Sequence, residues 1–449
     1  MKSDLMSSWI DHLSNPGRSN FEENQSLRER GMPFFASRPS RARFLMAFVC
    51  LSGVLSAAQA EPPLPLRQCT NKEGAANERI IACTTIIASA QASAKDRATA
   101  YFNRGGAIGR TGDLKNAISD FTQAINLAPD LTLAYFDRGY AYARLSRYGL
   151  AIADFDTAIT QQPNYAPAYN FRALSYLNIG SLDRAISDAS AGMGVDPAYP
   201  NSYATRGLAY GKECIFDRAI TDLDQAIKLN PKFATAYNYR GLVYMSMRDL
   251  DRAAADFDQA IQLGPKLTAP YVNFGVLYAK KNELDRAISY YNQALAINPK
   301  HAFALMMRGA AYARKGAFAP AFADVDLAIQ LNDKSALARY SRGHAKLLQQ
   351  ERLDEAIADF SDAIKLDPTF VNAYTARGLA YEARGDRDRA KSDFSAALAL
   401  PIKCGGDTWA HDVAQQRLTA SPGEPVRMAV SGETSISPMM DISFSDSEN

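Results

Sequence analysis

The stretch "ATAYNYRGLVYMSMRDLDRAAADFDQAIQLGPKL", Ala234–Leu267, decides how this chain is read. Within it, "YRGLVY" (Tyr239–Tyr244) has the apolar spacing of a buried helix face, interrupted by Arg240. The same Arg-Gly pair returns at a period of 34 residues along most of the chain. Self-similarity at such a period is the mark of a stacked-repeat architecture.

Nine segments align in this register, beginning at Ala98, Thr132, Ala166, Pro200, Ala234, Thr268, Ala302, Ala336 and Val371; the eighth carries one extra residue. Each reads as two amphipathic helices joined by a turn. Position 8 is glycine throughout except for Ala173, position 20 is always alanine, and position 27 is alanine except for Gly192. Small residues there let two helix axes approach closely. Large residues at positions 4, 11 and 24, such as Tyr237, Tyr244 and Phe257, fill the space around them. The turn falls at position 15, where Gly112, Gly180, Asn282, Gly316 and Gly385 suit a left-handed helix end. Cys214 holds the same slot and is expected on an exposed turn.

Position 7 is arginine in eight copies and position 23 is aspartate in the same eight. Repeat six alone departs, with Phe274 and Tyr290. Loss of both partners together implies contact between positions 7 and 23. An Arg–Asp pair between the two helices of a repeat suits the planar guanidinium fork. The other reading, a ladder of anion-binding arginines, is disfavoured because an aspartate accompanies each arginine.

This wording resembles the tetratricopeptide repeat (TPR) family, over residues 98–402. The resemblance implies an all-α TPR solenoid, a right-handed superhelix of antiparallel helix pairs, with first helices lining a concave groove. It also implies that groove contacts come from positions 2, 5, 6, 9, 12 and 13. Carried over, these give Phe102, Asn103, Phe136, Tyr140, Asn170, Phe171, Asn238, Tyr239, Asn273, Met306, Tyr340 and His344, with Asn103 and Asn273 expected on a ligand backbone. Aromatic and methionine side chains beside amides suit an extended peptide. Some of these residues can instead pack against the neighbouring repeat. The carboxylate clamp of some TPR adaptors needs a lysine at position 5, and no copy has one. Repeat eight is the odd copy, with Arg339, Lys346 and the extra residue near Gln349; it reads as drift in a tolerant array, or else as a hinge or contact site around Tyr340 and His344.

The flanks read as caps and addresses. Arg38, Arg41 and Arg43 precede the apolar run Phe44–Leu55, and Ala58-Gln59-Ala60 offers a cleavage site, the plan of a signal peptide within residues 1–60. It sits late, so either Met32 is the true start or, beginning at Met1, the n-region is long; the segment plan favours Met32. Residues 61–97 form an expected N-terminal cap, in which 76–90 resembles an orphan second helix tied back by a Cys69–Cys83 disulfide. Cys214 and Cys404 read as free thiols or an intermolecular pair. Residues 403–420 are expected to give a capping helix and 421–449 a disordered tail.

Charge is nearly balanced at +2, which argues against nucleic acid as the main partner. No apolar run has the length of a stable membrane span after signal cleavage. The sequence holds no Walker loop, dinucleotide fingerprint or G-x-S-x-G, and its few histidines form no zinc motif. The repeats leave no segment for a catalytic domain. The expectation is a non-catalytic scaffold, periplasmic or secreted, without cofactor or metal, that binds a protein or peptide in the concave groove. Alternatives are a chaperone-like adaptor for envelope assembly or secretion, and a regulatory subunit of an envelope enzyme such as a murein hydrolase. Oligomeric state is left open.

Overall fold

The computed structural model describes residues 64–71, 74–401 and 408–419. The expected signal peptide, the 421–449 tail and Cys404 lie outside them. Among the described residues there are 21 helices and no strand. The chain divides into two compact units, Met1–Ala141 and Tyr142–Asn449, with the boundary inside the helix Thr132–Arg144.

In the first unit a short helix, Leu64–Thr70, lies on the helix Ala76–Ala88, and Cys69 and Cys83 are bonded and fully buried between them. Repeat one follows as Ala94–Arg110 and Leu114–Leu127. Its first helix starts early because Ser93 caps it, accepting from the Asp96 N–H at 3.0 Å while donating to the Asp96 carboxylate at 2.7 Å. The second unit continues the same helix pairs to Arg387–Ala399 and ends on Trp409–Thr419.

Local chemistry fixes each corner. All nine turn residues at position 15 have φ between 57° and 92°, including Ser146, Cys214, Arg248 and Gln350, which lack the freedom of glycine. Asp113, Asp249 and Asp386 then cap the second helices by accepting from the backbone three residues on. Between repeats, Asp196, Asn230, Asn298, Asn332 and Asp367 each accept from the N–H two residues ahead, closing the loop where the second helix stops.

Core packing explains the small positions. A Cβ added at Gly241 would meet the Phe257 ring at 2.6 Å, and at Gly275 the Tyr291 ring at 2.4 Å, so position 8 faces position 24. Repeat three carries Ala173 at position 8 because its position 24 has shrunk to Ala189. Gly192 has a similar cause. A Cβ there would meet the Oγ of Ser202 at 2.7 Å, and Ser202 stands where most repeats have alanine at position 3. Cys214 lies on an exposed turn, as its position required, but it is disulfide-bonded, which corrects the free-thiol expectation.

Candidate partner-binding surface

Arginine at position 7 is structural, and it does more than the sequence comparison suggested. In repeats one, three, four, five, seven and nine the Nε and Nη2 atoms donate to both oxygens of the position-23 aspartate at 2.6–2.8 Å. In repeat eight Arg342 makes the same fork to Asp359 across a spacing lengthened to 17 residues. The aspartates are nearly buried and the arginines about one-fifth exposed, as with Asp256 at 7% and Arg240 at 20%.

Nη1 of each arginine reaches the other way, to position 25 of the preceding repeat. Arg138 donates to Thr122, Arg172 to Asp156, Arg206 to Ser190, Arg240 to Asp224, Arg308 to Asn292, Arg342 to Asp326 and Arg377 to Ser361. Arg104 donates to Thr84 of the cap helix, so the cap stands in for a preceding repeat. One guanidinium thus joins three helices. The hydrogen bond to Asp256 raises the Arg240 pKa above its ordinary value, and burial opposes the rise. In repeat six, Phe274 and Tyr290 stack at 4.5 Å between centroids, the apolar substitute expected.

A second set of contacts went unread in the sequence. Arginine at position 19 lies over tyrosine at position 11: Arg184 over Tyr176, Arg218 over Tyr210, Arg252 over Tyr244, Arg286 over Tyr278 and Arg389 over Tyr381, at 4.2–5.7 Å. Repeat eight exchanges this pair for Lys346 and Glu355. Lys346 is buried, 2.8 Å from Asp359 and 3.2 Å from Glu355. Arg352 holds the other side of Glu355, and this bond, with Lys346, pushes the Glu355 carboxyl down to about 2. Repeat eight is therefore a matched substitution, and the reading of it as drift is corrected. Gln350 keeps the left-handed turn at position 15, and the extra residue lies after it, so two residues, Glu351 and Arg352, precede the second helix at Leu353 where other repeats have one.

Within the second unit each first helix packs on the next first helix, whereas second helices pack chiefly against first helices on either side. First helices therefore form the inner layer of that unit. In both units most of the expected contact residues on the first helices are spent on packing. Asn103, Phe136, Asn170, Phe171, Asn238, Tyr239, Asn273, Met306 and Tyr340 are buried. Phe102, Tyr140 and His344 keep partial exposure.

The amides are committed within the fold. Asn103 donates to the Thr99 carbonyl of its own helix at 2.8 Å. Asn170 accepts from Thr205 at 2.7 Å, and Asn273 donates to Asn238 at 2.9 Å. Thr375 donates to the Ala410 carbonyl of the last helix at 3.0 Å. In each interhelical case position 5 of one first helix meets position 6 of the next. The expectation that Asn103 and Asn273 hold a ligand backbone is thus corrected: their amides hold helices. Tyr340 packs on Phe360 and Phe370 and stacks with His344 at 5.9 Å. Burial, and secondarily the charge of Arg314, depress the His344 pKa to about 4. Among the described residues no group of three or more His, Cys, Asp or Glu side chains could hold a metal ion, and no helix is long and apolar enough to cross a membrane.

Comparison with known proteins agrees with this architecture. Family profiles described as TPR repeat or tetratricopeptide repeat match residues 98–131, 136–197, 206–267, 269–301, 346–385 and 371–401. The chain belongs to the tetratricopeptide repeat family. A sequence search of the curated proteins returns no match. Among solved structures the chain is similar to the APC/C hetero-tetramer Cut9–Hcn1, at 15% identity over 76% of this chain and 83% of that one, TM-score 0.52. It is similar to a monomeric mutant of IFIT1 with Gppp-AAAA, at 13% identity over 73% and 87%, TM-score 0.50. A thermophilic TPR protein of Thermus thermophilus shares 24% identity over 40% of this chain and 98% of its own length, TM-score 0.38. At these identities the first two likenesses, with TM-scores of 0.52 and 0.50, show the fold alone. Residues 302–345 fall between the matched segments, yet they form the same kind of helices, Ala302–Arg314, Phe318–Leu331 and the start of Ala336–Gln349.

Proposed function

We propose that this protein is a non-catalytic scaffold that holds a protein or peptide along the inner layer of first helices. The observation that carries the reading is the inner layer of first helices in the second unit, framed by arginines that lock every repeat there but the sixth to the one before it. The nearly balanced charge favours a protein over a nucleic acid as partner. Contact falls to side chains of the second unit with accessible surface, among them His344 and Lys280. We place the protein in the periplasm or outside the cell. The buried Cys69–Cys83 bond supports this, because such bonds persist in oxidising compartments, as does the signal-like segment before Glu61.

A chaperone-like adaptor would bind many unfolded clients, and a regulatory subunit of an envelope enzyme would bind one stoichiometric partner. The test immobilises the full chain, passes envelope extract over it and identifies bound proteins by mass spectrometry. Lys280→Glu/His344→Ala, matched to the parent in thermal stability, is the control. One stoichiometric partner lost in the variant supports the inner-layer scaffold. Partners indifferent to the variant, or none, overturn it.

A further inference from the structure

Repeat six leaves behind a carboxylate that every comparable repeat neutralises. Where aspartate stands at position 25, as Asp156, Asp224 and Asp326, the next repeat's arginine donates to it. Asp258 holds that position ahead of repeat six, where Phe274 replaces the arginine. Asp258 is exposed and accepts from the neutral Gln262 amide of its own helix at 2.6 Å. Beside it Phe274, Tyr278 and Tyr290 form a mutual stack, with centroids 4.5–5.4 Å apart and planes within 27°. Tyr278 and Tyr290 are partly exposed. Arg286 covers Tyr278, but Glu283 balances its charge at 2.8 Å. The net local charge is therefore that of Asp258. Burial first, then Tyr278, raise the Tyr290 hydroxyl pKa; Asp258 adds to the rise and Arg286 opposes it, so the carboxylate is within electrostatic reach of the stack.

The geometry points to Asp258 and the edge of Tyr290 as a docking point for an arginine side chain of a protein partner. Repeat five shows one guanidinium making both kinds of contact: Arg240 lies 5.5 Å from the Tyr237 ring while donating to Asp224. A planar guanidinium can lie against a ring and bond a carboxylate at once, which a lysine ammonium does less well. The position lies on the ladder, not on the inner layer, so it stands independently of the groove reading.

The probe is N-acetyl-arginine amide, titrated into the full chain while the tyrosine ring resonances are followed by NMR. N-acetyl-citrulline amide serves as the uncharged isostere. Saturable shifts of the Tyr278 and Tyr290 signals are expected with the arginine probe. Binding should weaken about tenfold with citrulline and in Asp258→Asn, since charge-assisted hydrogen bonds are the stronger class. Phe274→Arg/Tyr290→Asp rebuilds the ladder in cis and should abolish the Tyr278 shift. Absence of a saturable shift in the parent, or an equal shift with citrulline or in Asp258→Asn, overturns the proposal. Asp258→Asn is a surface change, so this arm decides even if the rebuilt ladder fails to fold.

Discussion

Replacing Arg240 by alanine removes three hydrogen bonds at once, two to Asp256 and one to Asp224. The acceptors are left in different surroundings: Asp256 keeps 7% of its side chain exposed and Asp224 53%. Water can replace the guanidinium at Asp224 but hardly at Asp256. The cost is thus set by the stranded Asp256 carboxylate, and breaking a buried pair from one side costs about 3–5 kcal/mol. Because the pair reaches the surface through Arg240, the lower end, about 3 kcal/mol, is expected for Arg240→Ala. Asp256→Ala strands the arginine instead, which keeps Asp224 and water, so roughly half that cost is expected. Arg240→Phe/Asp256→Tyr copies the stacked pair of repeat six and should return to within about 1 kcal/mol of the parent, since aromatic stacking replaces the ion pair. Stability in a repeat array is spread over neighbours, so the loss need not appear as one cooperative transition. The assay is hydrogen exchange read by mass spectrometry on peptides from Ala234–Leu263, beside the urea midpoint. Unchanged protection in Arg240→Ala, or a double variant as damaged as the single, would refute the reasoning.

Gly192→Ala alone should gain little, because its Cβ meets Ser202; combined with Ser202→Ala it should add about 1 kcal/mol or more, from helix propensity and loss of a buried hydroxyl. A urea-melt cycle checks the coupling, and a double variant no better than the sum of the singles contradicts the packing account. His344 has a folded pKa of about 4, depressed from its ordinary 6.5, so the unfolded chain takes up the proton first. Its effect on stability is absent above pH 6.5, grows as pH falls from there to about 4, and then levels off. His344→Gln should flatten that part of the profile of Tm against pH, and an unaltered profile would count against the partial burial of the ring. Reducing Cys69–Cys83 should cost the cap about 3 kcal/mol by the loop-closure relation; exchange in Ala76–Ala88 should rise while that in repeat five stays fixed. Exchanging Lys346→Tyr with Glu355→Arg, to restore the stacking pair of other repeats, should be tolerated better than either change alone, as thermal melts of the three variants would show.

Much of the fold was legible because the chain states each contact several times. Phe274 and Tyr290 depart together, and the departure named the contact. The same signal stood unread at Ala173 with Ala189, at Gly192 with Ser202, and at Lys346 with Glu355. Each pair is a local exception answered by its partner, and each was visible once positions 8 and 24, 27 and 3, or 11 and 19 were known to touch. The candidate surface was less legible. Asn170, Asn238 and Asn273 have the composition of ligand-binding amides, yet two of them bond each other and the third accepts from Thr205. Residues 35 apart meet there, one position off the repeat, so comparing equal positions could not show it.

The sequence alone determined the period, the helix pairs, the left-handed corner at position 15 and the Arg–Asp fork. These follow from residue size, backbone freedom and charge at fixed spacing, which recur in every copy. Tertiary structure decided that each arginine also grips the preceding repeat, that the inner amides hold helices, that Cys214 is bonded, and that Asp258 keeps an unanswered charge. Those outcomes depend on how closely neighbouring helices stack, a distance set by the packing of whole repeats and written in no single one of them.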